Sequence, residues 1–344
     1  RINVIFGDNA QGKTNLLEAV AYLSSASSHR ARYDRELIQF GVDHAFVKGE
    51  VASRGRDFTL EASLHRGARR QLLSNGVRLK NAGELAGILN TVLFCPEDLY
   101  LIRAGAEARR KFLDQCICQL RPRYAVALAE YKRLREHKTR ILRDSAEHPD
   151  LLDTLDDFSL RMAQCGAILV HYRAHFIKKL RQAAPPIHAD CSGGRERLEL
   201  EYRTVSTVTD PEAPPKTLLP QLLDHQESHR RAEIESRSCL SGPHKDDLSV
   251  SIDGCPAGAY ASQGQTRTAA LALKLAARDI FYQDTQEWPV LLLDDVLSEL
   301  DSRRQEFVLN RITSGQVFIT CCEEEKLVHL REGNAFYIHD GRLA

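Results

Sequence analysis

Ile2-Asn-Val-Ile-Phe6, Gly7-Asp8-Asn9-Ala10-Gln11-Gly12-Lys13-Thr14 and Asn15-Leu-Leu-Glu-Ala-Val-Ala-Tyr-Leu23 follow one another at the start of the chain, and their reading decides the fold. The first piece is a short apolar run rich in β-branched residues, the pattern of a buried strand. In the third, Leu16, Leu17, Val20 and Leu23 recur at helical spacing. Between them the spacing is G-x-x-x-x-G-K-[ST], the phosphate-binding loop. Gly7 and Gly12 permit backbone conformations closed to other residues, so successive N–H groups can turn inward around an anion. The helix that follows aims its free N–H groups and positive dipole end at the same phosphates. In such a loop Lys13 reaches the β/γ-phosphates and the Thr14 hydroxyl holds Mg²⁺. Residues Gly7 to Thr14 are therefore expected to hold a nucleoside triphosphate with its Mg²⁺.

The second half of such a site stands far along the chain. Pro289-Val-Leu-Leu-Leu-Asp294-Asp295 is a fully apolar strand ending in two carboxylates, as in a parallel sheet buried on both faces. Acids at its carboxyl end face the phosphate loop, where open α/β sheets bind ligands. Asp294 is the expected Mg²⁺ contact, and Asp295 the group that orients or deprotonates the attacking water, with Lys13 beside it on the phosphates. Upstream, Ser262-Gln263-Gly264-Gln265 opens a helix over Ala269–Phe281, and such a cluster at a helix N-terminus can cradle an anion.

At 344 residues the chain has room for two or three domains. No run approaches the roughly 18 apolar residues that span a membrane, and no secretory signal opens it, so a cytoplasmic protein without a membrane partner is expected. It begins on Arg1 rather than Met, close before Gly7, so a preceding strand is expected in the natural protein. Nine cysteines are scattered without C-x-x-C spacing, the usage of reduced core thiols. Net charge is zero but unevenly spread. Residues 48–80 carry eight Lys/Arg against three Asp/Glu, residues 103–143 twelve against four, and residues 283–344 six against twelve. That asymmetry suggests a surface for a polyanion such as a nucleic acid, with solvated helix faces as the alternative.

Residues 45–52 and 57–64 alternate, with turns at Ser53–Arg56, His65–Arg70 and Ser74-Asn75-Gly76, as in an antiparallel β layer. Arg54, Arg56, Arg66, Arg69 and Arg70 lie near these turns. With Arg30 in the Ser-Ser-His29-Arg30 loop, they are the expected DNA contacts. Thr91–Cys95 reads as a strand stopped by Pro96. About ninety helical residues follow, broken at Pro122. Leu155, Phe158, Met162, Cys165, Leu169, Tyr172 and Phe176 form a coiled-coil-like seam, expected in a helical hairpin arm that Pro185-Pro186 ends. Arg197–Arg203 alternates as a strand, and residues 209–220 are expected to be a proline-rich loop before a polar helix. The expected units are the first half of an α/β ATPase head at 1–95, an inserted helical lobe at 96–235, and the second half of the head at 236–344.

Between the phosphate loop and the acidic strand, Ser262–Gln265 resembles the signature of ABC-type ATPases, and Ser298-Glu299-Leu300-Asp301 resembles their D-loop. The wide gap between Lys13 and Asp294 resembles the SMC and Rad50-like branch. Ser-His-Arg, Leu-Phe-Cys-Pro-Glu-Asp-Leu, Ala-Arg-Arg-Lys-Phe-Leu-Asp, Gly-Pro-His-Lys-Asp-Asp-Leu and Ser-Gln-Gly-Gln-Thr-Arg then resemble the RecF family over nearly the whole chain. The resemblance implies a P-loop ABC-type head with a helical lobe and ATP-dependent binding of DNA, single-stranded and duplex; no recognition-helix motif stands out, so little sequence preference is expected. It also implies a homodimer in which the signature of one copy closes on the ATP of the other, and work with RecR, RecO and RecA. Most ABC-type ATPases carry Glu at position 295, so the shorter Asp295 implies slow hydrolysis. Thr320 stands at the place of the transporters' switch histidine. The alternative from another class is the ATPase subunit of a membrane transport system.

Overall fold

The computed structural model describes residues 2–322 and 333–343. The opening apolar run is strand β1 (Ile2–Phe6), and α1 (Lys13–Ser25) follows the glycine loop. Four strands come next: β2 (His44–Ser53), β3 (Arg56–His65), β4 (Gln71–Ser74) and β5 (Val77–Arg78). They form an antiparallel sheet in that order. Its tight turns, Arg54-Gly55 (φ 51° and 68°) and Asn75-Gly76 (φ 50° and 75°), have two successive left-handed residues, the hairpin turn that matches strand twist.

After β6 (Thr91–Phe94) come three helices, α2 (Ala106–Leu120), α3 (Pro122–Asp144) and α4 (Leu155–Ser192). Strand β7 (Leu198–Arg203), helix α5 (Pro215–Ser236) and strands β8 (Asp247–Ile252) and β9 (Cys255–Pro256) complete this region, with β7, β8 and β9 forming a small antiparallel sheet. A single turn, α6 (Ala257–Tyr260), leads into α7 (Gln263–Thr285). The chain then runs through β10 (Val290–Asp294), α8 (Ser302–Arg311), β11 (Val317–Cys321), β12 (Gly333–His339) and β13 (Arg342–Leu343).

The main sheet has the order β13-β12-β1-β11-β10-β6, parallel except for β13. Strand β10 shows why its run is apolar throughout. Leu292 packs with Ile5, Leu17 and Ala21 beneath α1, while Leu291 and Leu293 join the core that includes Leu271, Leu275 and Ile280 of α7. Both faces are covered, so alternation disappears.

Two expectations for the middle of the chain need correction. Pro185 and Pro186 do not end α4, which continues to Ser192 and stops at Gly193 (φ 73°). The prolines cost two backbone donors. The apolar face nevertheless runs on through Ala184, Ile187 and Cys191, all buried, and that packing outweighs the loss. Likewise Pro214 to Pro220 is not all loop. Pro215 takes the first helical position of α5, where its missing N–H is harmless, and Leu218 and Leu222 bury against Ala163, Ala167 and Val170 of α4. The expected α3–α4 helical hairpin is present, and it is packed into the rest of the fold. The seam exists, with Leu155, Met162, Leu169 and Phe176 buried, but Ile177, Leu180 and Ala184 share one continuous core with α7 and the main sheet.

Candidate nucleotide site

Strand register brings the two halves of the site together. In the parallel ladder Ile5 pairs with Thr320, and Thr320 with Asp294, so all three lie level at the carboxyl edge where Gly7 leaves the sheet. There the Thr14 hydroxyl donates to Asp294 Oδ1 at 3.0 Å. Thr320 Oγ1 donates to the same oxygen at 2.8 Å and accepts the Asp295 N–H at 2.8 Å. Two hydroxyls from opposite ends of the chain, Thr14 and Thr320, thus share one carboxylate oxygen, and Thr320 also holds the Asp295 backbone. Lys13 is buried, its ammonium donating to the carbonyls of Gly7 (2.5 Å) and Asp8 (2.8 Å) across the mouth of the loop.

The loop is braced by an element that sequence reading missed. A Cβ on Gly7 (φ 151°) would run into the carbonyl oxygen of Ile338 on β12, so only glycine lets that strand pass. The Asp340-Gly341 turn between β12 and β13 then grips Gln11. The Asp340 N–H donates to Gln11 Oε1 at 2.6 Å, and the Gly341 N–H to its carbonyl at 3.1 Å. Asn9 Oδ1 accepts the Cys322 thiol at 2.9 Å.

Ser262 caps α7. Its hydroxyl accepts the Gln265 N–H at 3.2 Å, while the Gln265 side chain accepts the Ser262 N–H at 2.8 Å. Arg304 of α8 binds the Gly264 carbonyl (3.0 Å) and Thr268 Oγ1 (2.9 Å), and Arg267 binds the Glu299 carbonyl (2.7 Å). Signature and D-loop segments are therefore one locked unit, with Ser262 and Gln263 exposed. Among the described residues no hydrogen bond joins this unit to residues 7–14.

The six arginines are not one cluster. Arg54 and Arg56 sit at the opposite end of the ten-residue β3 from Arg66, Arg69 and Arg70, about 30 Å away at strand rise. Arg70 is spent on Asp34 (3.1 Å) and the Ala26 carbonyl (2.6 Å), and Arg66 on the carbonyls of Val42, Ile38 and Gln39. Arg30 lies 3.7 Å from Glu18, while Arg54 meets Glu287 only through its backbone N–H, and its exposed guanidinium has no acidic partner among the described residues. Arg56 and Arg69 are exposed without an acidic partner among the described residues, as are Lys132 and Arg140 of α3.

This geometry can be set beside known proteins. Residues 1–340 match the family model described as the RecF/RecN/SMC N terminal domain. The DNA replication and repair protein RecF of Agathobacter rectalis is 38% identical over 330 residues, 96% of this chain and 88% of the relative. That of Listeria innocua is 39% identical over 349 residues, 99% and 93% of the two chains. This chain belongs to the RecF family. A solved structure described as the recombination mediator protein RecF-ATP in the RecFOR pathway superposes on this RecF chain with a TM-score of 0.90 at 33% identity, covering 100% of it and 91% of the other. An SMC head domain from Pyrococcus furiosus superposes with a TM-score of 0.52 at 15% identity and shares the fold. RecF relatives thus replace the transport reading, which gains no support from these matches. Among the described residues no helix is long and apolar enough to cross a membrane.

Proposed function

We propose that this chain is a DNA-binding ATP switch of recombinational repair. ATP is held by Gly7, Asp8, Asn9, Ala10, Gln11, Gly12, Lys13 and Thr14, and Asp295 is the group facing the attacking water. Thr14 and Asp294 offer a hydroxyl and a carboxylate, the hard oxygen donors that suit Mg²⁺, and they would hold it. When bound, the ion neutralises charge on the phosphates. Ser262, Gln263, Gly264 and Gln265 of a second copy close on the terminal phosphate. DNA phosphates are met by exposed cations, of which the side chains of Arg54, Arg56 and Arg69 are the least committed within the chain. RecR, RecO and RecA are the partners that membership of the family suggests.

The observation that carries this reading is the 3.0 Å contact of Thr14 with Asp294 at the mouth of the glycine loop. Calorimetry on Lys13→Ala tests it. The substitution removes the cation among the β/γ-phosphates, so ATP affinity should fall at least about tenfold, in line with a lost charge-assisted hydrogen bond. The circular dichroism spectrum should be unchanged. Wild-type affinity in the variant would refute the site.

A further inference from the structure

The loop after α1 carries a histidine that the reading above leaves idle. Both ring nitrogens of His29 are buried without a hydrogen-bond partner among the described residues. Buried polar side-chain atoms are nearly always paired, so an orphaned pair calls for an explanation.

The backbone under this ring is fixed. Ser28 Oγ accepts the N–H groups of Arg30 (2.9 Å) and Ala31 (2.7 Å) and donates to Glu18 on α1. From α2, the Lys111 ammonium donates to the His29 carbonyl at 3.0 Å. His29 is among the residues lining a cavity of about 530 Å³ whose lining also includes Cys95, Glu97, Asp98 and Lys274. Strand order locates that cavity. Phe94 pairs with Leu293, so the chain from Cys95 onward leaves the sheet beside Asp294, on the side away from β11 and β1. The phosphate loop thus flanks Asp294 on one side and the His29 cavity on the other. In the proposed site a triphosphate whose β-phosphate lay in the loop would direct its last group toward Asp294, on whose far side this cavity lies. Burial, the largest influence, lowers the pKa of His29 against the opposing field of Glu18, Asp294 and Asp98. The ring is then neutral at pH 7, with one N–H donor and one acceptor.

Resting on the phosphate-loop reading, we propose that His29 senses the terminal phosphate, donating its N–H to a γ-phosphoryl oxygen. ADP has no oxygen at that position. The nucleotide state is thereby read by the short loop that also carries Arg30.

His29→Phe keeps ring size and removes both nitrogens, while His29→Gln keeps an N–H donor. Calorimetry with ATP and with ADP should show about a tenfold loss for ATP in the Phe variant, the scale of a hydrogen bond to a charged group. ADP affinity should not change, and Gln should recover part of the ATP affinity. His29→Ala carries the same comparison should the Phe variant unfold. Wild-type affinity for both nucleotides in the variants, or an equal loss for both, overturns the proposal and leaves the ring a neighbour of cavity water or a packing group. Failure of the wild-type chain to bind either nucleotide would instead overturn the phosphate-loop reading beneath it.

Discussion

At the scale of single residues, the two adjacent acids are built for different work. Asp294 is 5% exposed and accepts two hydroxyls on one oxygen, an arrangement that holds a carboxylate still. Asp295 has a left-handed backbone (φ 50°) with its N–H tied to Thr320, and its carboxylate has no partner among the described residues. The rival base, Glu299, is exposed and lies 3.4 Å from Arg267. Asp295→Asn is therefore a clean test, because Asn tolerates the left-handed region as well as Asp does. It should keep ATP binding and slow single-turnover hydrolysis by about 10²-fold or more, the usual worth of a positioned general base. Glu299→Gln should turn over near the wild-type rate. The opposite pattern would move the role to Glu299. Asp295 is also one methylene shorter than Glu, about 1.5 Å less reach, which fits a slow switch better than a fast engine.

Among elements, one junction ties the helical lobe to the second half of the chain and makes stability depend on pH. His244, in the turn before β8, accepts the Tyr131 hydroxyl of α3 at Nδ1 (2.7 Å), and its Nε2–H donates to the Cys239 carbonyl (3.0 Å). Those partners satisfy a neutral ring, and burial, the largest cause, lowers its pKa to about 4. An unfolded histidine titrates near 6.5, so as pH falls the unfolded chain binds the proton first. Stability contributed here is complete above about pH 6.5 and drains away toward pH 4. Urea midpoints should fall through that window, and fall less in His244→Gln, whose amide does not titrate there. An unchanged pH slope in the variant would sink the assignment. This junction also shows where sequence reading stops. The phosphate loop, the acidic strand and the Asn75-Gly76 hairpin were legible because each is local, its chemistry lying in neighbouring residues. The β7–β8 pairing of Leu198 with Ile252 was not, because it joins distant segments. It carries the lobe's packing past residue 235, and we propose a boundary near Ala261 instead. Asp253-Gly254 and Asp340-Gly341 were usable hairpin signals that went unread. The helical prolines misled because burial of a continuing apolar face overrides local propensity.

For the whole molecule, the question is what ATP does to assembly. Arginines that looked alike in the sequence divide in the fold: Arg66 and Arg70 brace the β layer, while the side chains of Arg54, Arg56 and Arg69 are exposed without an acidic partner among the described residues. The signature divides from the phosphate loop in the same way. Arg304 and Arg267 lock Ser262–Gln265 to α8 and the Glu299 segment, so this unit is held by the chain's own hydrogen bonds. Its exposed Ser262 hydroxyl and helix N-terminus form an anion-seeking surface that a terminal phosphate on a second copy would satisfy. ATP should then drive dimerisation, and ADP, lacking the bridging group, should not. Two substitutions separate the contact from the fold. Ser262→Arg places bulk in the interface at the cost of the helix cap, about 1 kcal/mol. Ser262→Asp keeps an equally good cap and sets a negative charge against the phosphate. Both should bind ATP as monomers in sedimentation velocity, with the Asp variant retaining wild-type thermal stability. ATP-dependent dimers of normal strength in the Asp variant would exclude this surface from the interface. Loss of dimers from the Arg variant alone would leave bulk, and not phosphate recognition, as the cause.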